Sequence, residues 1–185
     1  MNPQSILSIL LEQSVKGDRH SFGEFYELYL KEIYRYIFFR IYDHDEAEDL
    51  TTKVFLEAWE SLTRNPQDQK IENIRAWIYR IAHNKVIDYR RTRKTHVPIE
   101  NNPDKNLQVA GLESDMDDLL LSQQLAEGVR KLPANYQQII ILRFINQLSH
   151  AEVAEIMQIT ESHVRVLQHR ALLMMRAMIS EVASE

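Results

Sequence analysis

Helical periodicity runs through almost the whole of this chain, and no other feature restricts its fold so tightly. Apolar residues recur every three or four positions over about residues 5–94 and again from about residue 115 onward, and no run alternates convincingly as a strand would. The expected fold class is therefore all-α. Between the two helical blocks lies THVPIENNPDKNLQVAGLESDMDD, with two prolines, a glycine, several asparagines and no apolar period. That is the composition of a linker. The expected organisation is two small helical domains, residues 1–97 and 118–185, joined by a flexible acidic linker over 98–117.

The available chemistry narrows in the same way. The four glycines, Gly17, Gly23, Gly111 and Gly128, are too scattered to form a phosphate-cradling loop or a nucleophile elbow. Cysteine is absent, which excludes disulfides, thiolate zinc sites and thiol nucleophiles. Seven histidines are present, yet no HExxH, Glu-x-x-His or His-x-x-x-His spacing occurs, so helical metal-ligand pairs are missing. Neither an enzyme nor a cofactor nor a metal site is expected. MNPQSILSILLEQ has no basic region ahead of its apolar residues and meets Glu12 early, unlike a secretory signal. Apolar runs such as Ile139 to Leu142 fall far below a membrane span. A soluble, cytoplasmic protein is the expectation.

Charge is divided very unevenly. The formal net charge is -5, but residues 1–70 carry a net of -5, residues 71–97 a net of +5, residues 98–128 a net of -6 and residues 129–185 a net of +1. Local potential, screened within about 8–10 Å, governs what a surface binds. The acidic total is therefore no argument against a nucleic-acid partner.

The basic segment is NIRAWIYRIAHNKVIDYRRTRK. Wound as a helix, it gathers Ile74, Trp77, Ile78 and Ile81 on one side, with Tyr89 and the stem of Lys85 beside them and Asp88 toward that side. Arg80, His83, Asn84, Ile87, Arg90, Arg91 and Lys94 share the far stripe. A solvated helix face is one reading of such a cluster. The other is a nucleic-acid surface, because Arg and Lys suit phosphates while amide and imidazole groups can reach base edges.

Further on, SHAEVAEIMQITESHVRVLQHR reads as two short helices about a corner. Ser149 and Glu152 fit a capping box, Val153, Ile156 and Met157 form an apolar face, and the corner falls at Gln158 and Ile159. Thr160 can cap the second helix. Val164 and Leu167 then face inward, and Ser162, His163, Arg165, His169 and Arg170 lie on other faces. This is the outline of a helix-turn-helix, whose second helix would enter a major groove. Upstream, Ile139, Ile140 and Leu142 supply the core of a supporting helix.

Together these segments carry a resemblance. DEAEDLTTKVFLEAW followed by IRAWIYRIAHNKVIDYRR closely resembles the first conserved domain of bacterial RNA polymerase sigma subunits, and LPANYQQIIILRFINQLSHAEVAEIMQITESHVRVLQHRAL resembles their last. Two such domains with only a linker between them resemble the extracytoplasmic-function class of the sigma-70 family. The resemblance implies core RNA polymerase and promoter DNA as partners, often an anti-sigma factor as well, and a bacterial cytoplasmic protein that is nucleoid-associated in holoenzyme.

The same resemblance implies roles for residues. The helix over residues 45–62 would dock on the clamp helices of the largest polymerase subunit. Winding it puts Leu50, Val54, Phe55, Ala58 and Trp59 inward and Asp49, Thr52, Lys53, Leu56 and Glu60 outward, with Leu56 as the apolar anchor. Many members have Gln and an acid where this chain has Thr52 and Lys53, which leaves the polar docking contacts open. The minus-ten element would be held by Asn65, Gln67 and Asn73 of the following loop, which captures a flipped base, and by Arg80, His83, Asn84, Arg90, Arg91 and Lys94. The minus-thirty-five element would be read by Ser162, His163, Arg165, His169 and Arg170, with the C-terminal domain on the polymerase flap. The acidic linker would lie in positively charged polymerase channels or act as a solvated spacer. Two other classes remain open: a free-standing helix-turn-helix regulator that binds an operator, and a helical interaction protein.

Overall fold

A computed structural model describes residues 3–64, 71–96 and 127–182. Among the described residues the regular structure is entirely helical. The chain divides into two compact units, the first built mainly from the helices up to residue 97 and the second mainly from those that follow.

In the first unit α1 spans Pro3–Val15, α2 Arg19–Ile41, α3 His44–Arg64 and α4 Ile74–His96. Each boundary has a local cause. Gly17 turns the chain at φ 88°, where a side chain would be strained. Asp18 then caps α2 by accepting from the backbone N–H groups of His20 and Ser21. That helix ends on Tyr42, left-handed at φ 55°, whose N–H donates to the Phe38 carbonyl. Asp45 and Glu46 lie in the first turn of α3 and Arg64 in its last, the signs that suit the helix macrodipole. Asn73 starts α4, its side-chain oxygen accepting from Ala76 N–H at 3.0 Å.

Aromatic residues build the core between these helices. Phe25 of α2 is fully buried, its ring 5.0 Å from Tyr29, 6.4 Å from Phe55 of α3 and 6.3 Å from Trp77 of α4. Ile33, Tyr36, Ile37, Val54, Leu62, Ile78 and Tyr79 fill the remainder and are inaccessible to solvent. Glu32 ties α2 to the start of α4 by accepting from Arg75 and from the Tyr79 hydroxyl, each at 3.1 Å.

In the second unit α5 spans Ala134–Ile140 and continues as a π-helical turn, Ile141–Ile145; α6 is His150–Met157 and α7 Glu161–Val182. In the π-helical turn Asn146 N–H reaches back five residues to the Ile141 carbonyl at 2.9 Å, which shifts the phase of every side chain after it. The capping box at α6 forms as expected: Ser149 accepts from Glu152 N–H at 3.2 Å, and the Glu152 carboxylate accepts from Ser149 N–H at 2.7 Å. Gln158 ends α6 in the left-handed conformation at φ 56°, where glycine is the usual choice. Thr160 accepts from His163 N–H at 3.2 Å and so opens α7. Ile139, Ile140, Ile141 and Leu142 are buried with Val153, Ile156, Val164, Leu167 and Ala171, and α5 packs along α7. No described helix is long and apolar enough to cross a membrane.

Candidate nucleic-acid interface

The first candidate surface is α4, and the structure rotates it by roughly a quarter turn from the expected arcs. Its core side is formed by Ala76, Ile78, Tyr79, Ile81, Ala82 and Val86, all buried. Trp77 and Tyr89 are only half-buried, and Asp88 is exposed and paired with Arg91 at 3.1 Å. Lys85 pairs with Glu57 of α3.

Three of the residues expected to contact DNA make contacts within the unit. His83 turns toward α2, with Nδ1 3.4 Å from the Tyr36 hydroxyl. Burial, reinforced by nearby Arg40, pushes its pKa down to about 4, so the ring is neutral. Arg90 also turns inward, its guanidinium donating to the Arg40 carbonyl at the C-terminal end of α2. Burial and then the Arg40 charge lower its pKa to about 10, which still leaves it cationic. Cations satisfy terminal helix carbonyls and suit the negative end of the dipole. Asn73 is the α4 cap, its side-chain oxygen accepting from Ala76 N–H. The outer face of α4 holds Asn84, Ile87, Asp88 and Arg91, all exposed, with Arg80 half-exposed at its edge. Asn65, Gln67 and the side chain of Lys94 lie outside the described residues.

A pH dependence follows from His83. Its pKa falls from an ordinary 6.5 to about 4 on folding. Between those values the unfolded chain binds the proton and the folded chain does not, so stability falls as pH drops through this window. At full burial the difference would be worth roughly 3 kcal/mol; partial exposure of the ring reduces that to about 1–2 kcal/mol. Urea unfolding at pH 7 and pH 4.5 should therefore show a steeper acid loss for the native chain than for His83→Asn. Equal losses would mean that the ring does not titrate in this way.

The second surface is the outer face of α3, where the arcs drawn from sequence hold. Leu50, Val54, Phe55 and Ala58 are buried and Trp59 is half-buried, whereas Asp49, Thr52, Lys53, Leu56 and Glu60 are exposed. Leu56 is 56% accessible. Around it charge is locally balanced: Lys53 pairs with Asp49, and Arg64 lies 3.7 Å from Glu60. The Thr52 hydroxyl donates to its own helix at the Glu48 carbonyl, at 3.0 Å, and so has its hydrogen bond already made.

The third surface is the start of α7. Val164, Leu167 and Ala171 anchor one side, and Ser162, His163, Arg165, His169 and Arg170 are exposed on the others. Arg165 pairs with Glu161 at 2.9 Å on the helix surface. An exposed pair at this spacing is worth only about 0.3–0.5 kcal/mol, so the guanidinium can be recruited elsewhere at small cost.

Sequence reasoning missed a polar network behind this helix. Gln168 Oε1 accepts from Arg143 Nε at 3.1 Å and lies 3.0 Å from His150 Nε2, and Arg143 also donates to the Leu148 carbonyl. Arg143 lies within the π-helical turn, which has no sequence signature.

Comparison with known proteins places both units. A family model for Sigma-70 region 2 matches residues 25–96, and one for Sigma-70, region 4 matches residues 122–175. The ECF RNA polymerase sigma factor BldN of Streptomyces coelicolor is 30% identical over 165 residues, covering 88% of this chain; the match spans only 62% of BldN. RNA polymerase sigma factor SigV of Bacillus subtilis is 30% identical over 153 residues, 82% of this chain and 86% of that protein. The sigma factor RpoE of Bartonella quintana, solved in complex with the anti-sigma factor NepR, has the same fold, with a TM-score of 0.67 and 21% identity over 86% of this chain and 96% of that one.

Proposed function

This chain belongs to the extracytoplasmic-function class of sigma-70 family RNA polymerase sigma factors, and from that membership we propose how its two units divide the work of promoter recognition. Residues 1–97 dock on the clamp helices of core RNA polymerase through Leu56 and its neighbours on α3, and hold the minus-ten element. Residues 118–185 read the minus-thirty-five element and rest on the polymerase flap, and residues 98–117 join the two. The observation that carries this reading is the exposed start of α7, with its histidine and arginine side chains raised on a buried apolar seat.

In this reading the minus-ten surface of the described part of α4 centres on its exposed face. Arg80, Asn84 and Arg91 remain on the outer part of α4, while His83, Arg90 and Asn73 hold the helix in place. Arginine on such a face contacts phosphates, and Asn84 has both donor and acceptor for a base edge. Its work is binding rather than catalysis, in the cytoplasm and on the nucleoid when joined to polymerase. An anti-sigma factor is a further partner in this reading, since the Bartonella relative was solved in complex with one.

Each DNA surface is modest alone. Bound to one polymerase, both act on a single promoter at high effective concentration, so neither needs to bind DNA strongly by itself. Adding the purified chain to core polymerase should give transcripts with a defined start. A free-standing regulator would instead bind a palindromic operator alone and give no core-dependent transcript. Matches to both sigma regions in one chain do not favour that alternative.

A further inference from the structure

We propose that Gln168 is a positioning residue that sets the rotation of α7, and thereby how well the chain distinguishes its upstream promoter element; this rests on the reading of α7 as the helix that reads that element. The chemistry at its carboxamide is unambiguous. A guanidinium has donors only, so the Gln168 atom 3.1 Å from Arg143 Nε must be the carbonyl oxygen. His150 Nε2, 3.0 Å from the same oxygen, is therefore an N–H donor, which fixes the tautomer of a neutral His150. One oxygen receives a donor from the π-helical turn and a donor from the first residue of α6. Arg143 also donates to the Leu148 carbonyl, and Ser149 caps α6 immediately after it.

The position of Gln168 in α7 gives the network its consequence. It lies one turn after Arg165 and next to His169. The apolar seat of the helix, Val164, Leu167 and Ala171, is buried, but apolar contact is non-directional and tolerates rotation. Hydrogen bonds do not, because they weaken steeply with angle. A rotation of roughly 20° moves a group at the outer helix radius of about 5–6 Å by about 2 Å. A bidentate contact to a base edge would not survive that. The oxygen of Gln168 thus locks α7 against the corner made by α5 and α6, and Arg165, His169 and Arg170 inherit their aim from it.

The test measures transcription by reconstituted holoenzyme on two templates, one with the native upstream element and one with it scrambled, and takes the ratio. Gln168→Met keeps the length of the side chain and removes the acceptor. Its ratio should fall by about tenfold, the scale of one lost base contact, with core binding and helical circular dichroism unchanged. Gln168→Glu keeps an oxygen facing Arg143 and His150, and its ratio should return to within about twofold of native, since charge-assisted hydrogen bonds of this kind are strong. Any uniform repulsion of DNA by the added carboxylate cancels in the ratio. His150→Ala removes one donor only and should lower the ratio less, which keeps the test usable if Gln168→Met fails to fold. A purely structural Gln168 would lower the unfolding midpoint and leave the ratio unchanged, and that result overturns the proposal. So does an equal fall in Gln168→Met and Gln168→Glu, which would mean that the amide touches DNA directly. A native chain with no preference between the templates would overturn the reading of α7 itself.

Discussion

Leu56→Asp is expected to weaken binding to core RNA polymerase by about 2–4 kcal/mol, roughly thirty- to sevenhundredfold, the range of an interface hot spot. The side chain is 56% accessible on an α3 face whose inner side is fully engaged with the core of the first unit. Removing the exposed part of Leu56 from water is worth roughly 1–2 kcal/mol, and an aspartate there adds an unpaired carboxylate to a contact that would exclude solvent. Its charged neighbours contribute less. Asp49 and Lys53 already neutralise each other, and exposed pairs are worth at most about 1 kcal/mol. Because Leu56 points away from the core, helical circular dichroism and the unfolding midpoint should not change. Affinity for core is read by titration of labelled chain, and an unaltered value would remove Leu56 from the interface.

Arg165→Ala is expected to cost about 1–3 kcal/mol on promoters that carry the preferred upstream element, if the guanidinium makes a bidentate contact to guanine. The loss should disappear on templates with that element scrambled. Breaking the Arg165–Glu161 pair to reach DNA costs only about 0.3–0.5 kcal/mol, so the base contact dominates. A phosphate contact predicts a different pattern, an equal loss on every sequence and a shallower salt dependence. The discriminating readout is holoenzyme affinity on matched and scrambled templates at two salt concentrations.

Segments whose pattern is set locally were legible in the sequence. The capping box at Ser149, the Thr160 cap and the two faces of α3 depend on neighbours three or four residues away, and the structure shows them where spacing places them. The left-handed Gln158 could be inferred only from the corner that required it. α4 was harder to read because α2 decides which of its sides is inner. Ala76 and Ala82 carry little weight in a hydrophobic pattern, yet they let α4 sit close. Tyr36 and the end carbonyl of α2 then draw His83 and Arg90 inward. A basic stripe that looked uniform therefore divides into residues that hold the helix and residues that remain exposed on it. The Gln168 network was illegible for a related reason: it joins Arg143, His150 and Gln168 across three helical segments, and no local propensity announces that.

The central claim is that two modest DNA grips become useful only when polymerase aligns them, and run-off transcription on defined templates tests it most directly. Core polymerase, the purified chain and four templates suffice: native, upstream element scrambled, downstream element scrambled, and both scrambled. The expected result is a single start on the native template that requires both core and chain, falls when either element is scrambled and vanishes when both are. The contradicting result is no chain-dependent transcript with core, together with tight binding of the isolated chain to a palindromic site.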